Sequence, residues 1–238
     1  MTTAKAKPKV VLLCGAGGAG KDTLANQLLD AYPRAKAMAY ADPLYTEVAQ
    51  AFGVTEEFLR DRYNKTNPSH KLAYMCCSNA EFRDMIRHSS DGLNVMTVPR
   101  TSREVLEQYG TEYRRRLYGI NYWTRQLFVR LSAAVDQHAG SDSLAAVVTD
   151  LRFPQEELLD LYEHLDGEAD TFVMHVTGFA EPEGTPSHQS ALPIPSKYWT
   201  ADLLNVRGQP EAMLHEAIRV LQNTTPFNPE VTNQQGTP

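Results

Sequence analysis

Val10-Val11-Leu12-Leu13-Cys14-Gly15-Ala16-Gly17-Gly18-Ala19-Gly20-Lys21-Asp22-Thr23 decides the fold. An apolar run of strand length enters a glycine-rich turn, and the turn leads straight into Leu24, Ala25, Leu28 and Leu29, spaced as one face of a helix. Gly15 and Gly20-Lys21 stand at the G-x-x-x-x-G-K spacing of a phosphate-binding loop. The reason for this composition is steric and electrostatic. Positions without side chains let successive backbone N–H groups converge on phosphate oxygens, and the following helix aims the positive end of its dipole at the same anion. Gly15, Gly17, Gly18, Ala19, Gly20, Lys21, Asp22 and Thr23 are therefore the expected phosphate contacts, with Lys21 as the mobile cation for the terminal phosphates.

Working outward, strands and helices alternate. Lys36–Ala41 reads as a second strand ending at Asp42-Pro43, followed by a helix through Leu44, Val48, Ala49 and Phe52 and closed by Gly53. Leu144–Thr149, Phe172–Val176 and Ala201–Val206 read as three more strands, and Pro210 opens a last helix with Met213, Ala217 and Leu221 inward. This pattern predicts an α/β fold with a five-stranded, mostly parallel sheet sandwiched by helices. Residues 54–139 read as a helical, substrate-binding insertion on a core formed by 9–53 and 140–222. The whole is expected as a single domain over 1–222, followed by a disordered tail at 223–238. Gly178–Ser196 reads as a long loop.

Within the insertion, Thr101-Ser102-Arg103-Glu104 is a capping-box pattern that opens a helix. Val105, Leu106, Tyr109, Tyr113 and Leu117 would share its apolar face, and Arg103, Glu107, Gly110 and Arg114 an adjacent polar stripe. A continuous helix would put Arg116 in the apolar face. Either the helix breaks near Gly110 and recaps at Thr111, or Arg116 points into a site.

Composition bounds the class. The 238 residues carry a formal charge of −6, which disfavours nonspecific nucleic-acid binding. Cys14, Cys76 and Cys77 form no C-x-x-C and read as free thiols in a reducing compartment. Met1–Lys9 has no apolar signal region and no run reaches membrane-spanning length, so a cytoplasmic protein without a membrane partner is expected.

Several residues carry candidate chemistry. Asp150 ends an apolar strand, where a carboxylate holds Mg²⁺ directly or through water, or else caps a helix. Arg152 reaches a phosphate at the same sheet edge, or pairs with Glu156 or Glu157. Asp42 also ends a strand, and serves either a site or a helix start. Arg103, Arg114 and Arg116 form an anion clamp or a solvated face; Tyr109 and Trp123 stack on a base or fill the core; Gln108 and Glu112 are placed to hydrogen-bond base edges.

At these residues the chain resembles the deoxynucleoside monophosphate kinases of tailed bacteriophages, in the P-loop kinase group that includes adenylate kinases. The resemblance rests on Gly20-Lys21-Asp22-Thr23, on Tyr40-Ala41-Asp42-Pro43-Leu44, on Ser102-Arg103-Glu104-Val105-Leu106 leading to Gly110-Thr111-Glu112, on Trp123, and on Thr149-Asp150-Leu151-Arg152-Phe153 with Glu156. It runs in order over residues 9–222. It implies an NMP-kinase-type P-loop enzyme that uses ATP and Mg²⁺ to phosphorylate a deoxynucleoside monophosphate (dNMP) in the host cytoplasm. By the same resemblance Asp42, Arg103, Gln108, Glu112 and Trp123 belong to the acceptor site, and Asp150 with Arg152 to the metal and phosphate edge. The expected partner is the small dNMP, with no nucleic acid and no membrane, and a homodimer is left open.

Two departures matter. Asp22 stands where a Ser or Thr usually follows the loop lysine, which points to a metal held through water near Asp150 or Asp22. Residues 153–206 contain no arginine, where adenylate kinases carry lid arginines. Lys21, Arg152 and one or more of Arg103, Arg114 and Arg116 then supply the catalytic positive charge. Two other readings stand beside this one: a P-loop kinase of another small metabolite, and an ATP-binding regulatory module without turnover.

Overall fold

The apolar run at the head of the chain becomes the central strand, β1 (Lys9–Cys14), with Val10 through Cys14 fully shielded from solvent. The computed structural model describes residues 6–89, 94–178 and 193–230. In it β1 pairs with β3 (Leu144–Val148) on one side and β4 (Asp170–Thr177) on the other. β2 (Lys36–Met38) and β5 (Ala201–Leu204) are the edges, so the order is β2-β3-β1-β4-β5. All pairings are parallel, which sharpens the expectation of a mostly parallel sheet. Strands paired on both edges and covered on both faces have no solvated side, which is why Val10–Cys14 of β1 and all of β3 are continuously apolar instead of alternating.

Alternate residues of the strands feed two separate cores, as the two-residue period of a strand requires. Val11, Leu13, Val147, Phe172 and Met174 pack against α1 (Lys21–Ala31) and α10 (Pro210–Asn223). Leu12, Cys14, Val148 and Val173 pack against α8 (Tyr122–Gln137) and a helical segment that begins as a π-turn at Pro154–Leu159 and continues as α9 (Asp160–Leu165). The result is helices on both faces of the sheet, as expected. Residues 223–230 differ from the expected disordered tail. Phe227 is buried, its ring 5.7 Å from that of Tyr162, and its N–H donates to the Thr171 carbonyl at 2.7 Å. Of that tail, residues 231–238 lie outside the described residues, as does most of the loop read at Gly178–Ser196.

The chain comprises two compact units, Met1–Tyr40 with Thr124–Pro238, which carries the sheet, and Ala41–Trp123. The insertion expected at 54–139 is thus displaced toward the N-terminus, for reasons of packing. Val48 and Phe52 of α2 (Asp42–Phe52) join a core with Leu59, Phe82 and Tyr109, so α2 belongs with the helical unit. Leu127 and Leu131 of α8 lie against the strands, so α8 from Thr124 onward belongs with the sheet.

The helical unit is built from α2, α3 (Glu56–Arg60), α4 (Ala80–Ser89), α5 (Asn94–Thr97) and α6 (Ser102–Glu107). Both halves of the capping box form at α6. Thr101 Oγ1 accepts from the Glu104 N–H at 3.1 Å, and the Thr101 N–H donates to Glu104 Oε2 at 2.7 Å. The conflict at Arg116 resolves in a third way. The helix neither breaks at Gly110 nor aims Arg116 inward; it continues as a π-helix over Gln108–Arg115 and returns to α pitch at α7 (Arg116–Tyr118). The wider turn delays the register, so Tyr109 and Tyr113 are buried while Arg116 and Leu117 are exposed. Gly110 also leaves the expected polar stripe. It is buried, and a Cβ there would lie 2.9 Å from Leu44 Cδ2. Among the described residues no helix is long and apolar enough to cross a membrane.

Candidate active site

The turn after β1 has the backbone its glycines allow. Gly15, Gly18 and Gly20 have φ values of +130°, +77° and +108°. A Cβ on Gly15 would meet the Val176 carbonyl oxygen at 2.3 Å, so the loop lies directly against β4. The Ala19 N–H closes a tight turn on the Ala16 carbonyl at 3.2 Å. Among the described residues the N–H groups of Gly17, Gly18 and Gly20 take no acceptor, leaving donors for an anion at the start of α1. Lys21 folds back across this turn, its Nζ donating to the carbonyls of Gly15 at 2.8 Å and Ala16 at 2.9 Å. Burial lowers the Lys21 pKa; Asp22 opposes that fall, Arg152 adds to it, and Asp150 opposes it. Asp22 and Thr23 are exposed in the first turn of α1. Beneath the loop, burial pushes the Cys14 thiol up to about 12 despite the charge of Lys21, so it stays a neutral core residue.

Asp150 and Arg152 stand at the carboxyl end of β3, the strand next to β1, and the Leu151 N–H donates to the Leu13 carbonyl at 3.2 Å. Asp150 Oδ1 accepts the Tyr40 N–H at 2.7 Å, which ties the end of β2 to the end of β3. Arg152 is exposed. The relation anticipated with Glu156 or Glu157 takes an unexpected form: buried Glu157 accepts the backbone N–H groups of Arg152 at 2.8 Å and Phe153 at 3.0 Å. Tyr40 Oη donates to the Glu157 carbonyl at 3.0 Å, completing a frame around Asp150. From sequence, Glu157 is read only as an ion-pair partner of Arg152 and Tyr40 only as part of the Tyr40–Leu44 motif, not as a frame for Asp150. The available signal was an acidic residue in the first turn after Pro154, placed to reach back to the preceding amides.

On the other flank of β1, Asn205 Nδ2 donates to the Ala19 carbonyl at 2.7 Å and anchors the glycine turn to the end of β5. His175 Nδ1 and Thr177 Oγ1 both contact Asp202 Oδ1 at 2.8 Å, and the His175 ring stacks on Trp199 at 3.8 Å. These groups brace β4 against β5.

The residues expected to hold an acceptor lie in the helical unit. Asp42 opens α2, and its Oδ1 accepts from Arg60 Nη2 at 3.0 Å. Arg103 and Glu112 are exposed and Gln108 is half-buried. Trp123 does not offer a face to a base. It is buried, and its Nε1 donates to the Gly110 carbonyl at 3.1 Å, which props the π-turn. Arg114 is drawn inward, its Nε donating to Glu47 Oε2 at 2.7 Å. Its guanidinium lies over the rings of Tyr109, Tyr113, Tyr118 and Tyr122 at 4.7 to 5.6 Å from their centroids. Burial pulls the Arg114 pKa down, but the hydrogen bond and charge of Glu47 outweigh it and hold the group above the ordinary arginine value. Glu47, Gln50, Ser78, Asn79, Tyr109 and Arg114 line a pocket of about 240 Å³.

No protein-family model matches the chain, and no curated protein matches it. Among solved structures it is similar to a cysteine-to-alanine mutant of the APS kinase of Mycobacterium tuberculosis, at 13% identity and a TM-score of 0.41, over 92% of this chain and 99% of that one. It is also similar to an unliganded sugar kinase from Janibacter sp. HTCC2649, at 15% identity and a TM-score of 0.40, over 91% of this chain and 95% of that one.

Proposed function

We propose that the chain is a phosphotransferase that moves the γ-phosphoryl of ATP to a deoxynucleoside monophosphate, giving the diphosphate and ADP. The observation that supports phosphotransfer from ATP is the glycine turn with unpaired amides, spanned by Lys21, beside a strand end that bears Asp150 and Arg152, while the deoxynucleotide acceptor rests on the sequence resemblance. An acceptor phosphate oxygen attacks the γ-phosphorus, the bond from that phosphorus to the β–γ bridging oxygen breaks, and ADP leaves with the electron pair. Lys21 and Arg152 supply positive charge where negative charge develops, and the loop amides hold the triphosphate. Asp150 and Asp22 are the residues that would hold Mg²⁺, largely through water, and the ion would neutralise the phosphate oxygens. The donor set fits: a few hard carboxylate oxygens sharing the ion with phosphates is the mode Mg²⁺ accepts. Asp42, Arg103, Gln108 and Glu112 are assigned to the acceptor, with exposed Arg103 as the cation for its phosphate.

The test is ADP release measured with dTMP, dGMP, dCMP, dAMP and their ribose counterparts. At least one dNMP is expected to be turned over, and Lys21→Ala should lower its kcat roughly 100-fold, equivalent to ~3 kcal/mol. Turnover with a non-nucleotide acceptor only would instead identify a kinase of another small metabolite. ATP binding without product for any acceptor would identify a regulatory module.

A further inference from the structure

We infer that the pocket within Ala41–Trp123 seats the uncharged ring of the acceptor, and that Glu47 and Arg114 read that ring as a pair, so that Arg114 does not serve the phosphate. This rests on the nucleotide-kinase reading above. Arg114 was the natural choice for an anion clamp, but its surroundings argue otherwise. Its Nε is committed to Glu47 Oε2, while Glu47 Oε1 accepts the Tyr122 hydroxyl at 2.6 Å. The side chains are only 17% and 24% exposed, so the pair meets little solvent screening. Glu81 adds a second carboxylate behind the tyrosines, accepting from Tyr113 Oη at 2.7 Å and Tyr118 Oη at 2.5 Å. The site is therefore neutral to negative. A phosphate dianion entering it would meet the Glu47 carboxylate at the same short range as the guanidinium, and the two effects oppose each other.

A neutral heterocycle meets no such repulsion. Among the described residues the Arg114 Nη groups carry no hydrogen bond, so they remain donors for a ring carbonyl or ring nitrogen. Each Glu47 oxygen has a second lone pair for a ring N–H, and Gln50 and Ser78 add polar edges. Asn79 is already committed, its Nδ2 donating to Tyr109 Oη at 3.0 Å and Tyr113 Oη at 3.1 Å, so it fixes the wall. At about 240 Å³ the pocket falls below the roughly 300–1,000 Å³ of drug-sized sites and suits one ring system better than a whole nucleotide.

The test compares deoxynucleosides, which lack phosphate, with their monophosphates by calorimetry on the full chain. At least one deoxynucleoside should bind at millimolar concentration. Arg114→Gln should weaken that deoxynucleoside and its monophosphate by the same factor, tenfold or more. Glu47→Gln keeps the shape but replaces an acceptor with a donor, and should reorder the four bases in binding and in KM. Tyr122→Phe removes only the hydroxyl that orients Glu47 and should shift the same ranking if Glu47→Gln fails to fold. Loss confined to the monophosphate in Arg114→Gln, no deoxynucleoside binding, or an unchanged base order would overturn the assignment. Arg114-dependent deoxynucleoside binding without turnover of any dNMP would leave the pocket assignment standing and sink the kinase reading.

Discussion

Gly15 has no room for a side chain in the glycine turn. Its φ of +130° is unfavourable for an L side chain, and the obstacle to a Cβ is the backbone carbonyl of Val176, fixed in β4 at 2.3 Å. Gly15→Ala should destabilise the protein by about 2–3 kcal/mol through backbone strain alone. ATP affinity should fall with it, and thermal melting with and without ATP separates the two effects. Lys21 gives a second residue-scale prediction. Burial is the main reason its pKa lies below the ordinary lysine value of 10.5. Only the protonated amine attracts phosphate, so ATP affinity should be full at neutral pH and decline as pH rises through that lowered pKa. Lys21→Arg should move this alkaline limb out of range; an identical limb in the variant, read by calorimetry between neutral and alkaline pH, would assign it to another group. The geometry of the turn was legible because a glycine turn between a strand and a helix is a local solution, in which spacing alone dictates where amides and lysine fall. Glu157 was not legible. Its carboxylate matters only because the chain after Asp150 doubles back within its reach.

The π-helix at Gln108–Arg115 decides which side chains enter the helical unit's core and pocket. Gly110 is closely packed within it: an added Cβ would lie 2.9 Å from the mobile methyl end of Leu44. Gly110→Ala should therefore be tolerated, whereas Gly110→Val adds methyls that Leu44 alone does not clear and should cost about 2 kcal/mol. Urea titration of both variants checks the contrast; equal losses would mean that the turn is not limited by packing at this glycine. The cap at Thr101 and Glu104 was readable because both bonds close within four residues. The π pitch was not. It follows from Tyr109 and Tyr113 converging on Phe82 and on the Asn79 amide, a residue far away in sequence. A pattern that assumes α pitch therefore misplaces Gly110, Arg114 and Leu117 together.

For the whole molecule, the sheet-bearing unit is closed by a segment that composition alone marks as tail. Phe227 is buried beside Tyr162 and bonded to the carbonyl of Thr171. Phe227→Ala should lower stability by about 3 kcal/mol, seen as a reduced midpoint in urea. A change below half a kilocalorie would show that the segment contributes no more than an exposed tail. The five-stranded α/β alternation, the glycine turn ahead of α1 and the acidic residue past the end of β3 are all readable in the order of residues. Each depends on contacts between neighbours in the chain, or on burial deep enough to make a strand apolar throughout. Where the helical unit begins, the propping role of Trp123 and the pairing of Arg114 with Glu47 emerge only once the chain is folded. Those outcomes depend on which distant side chain fills the space beside a given residue, and no local spacing encodes that choice.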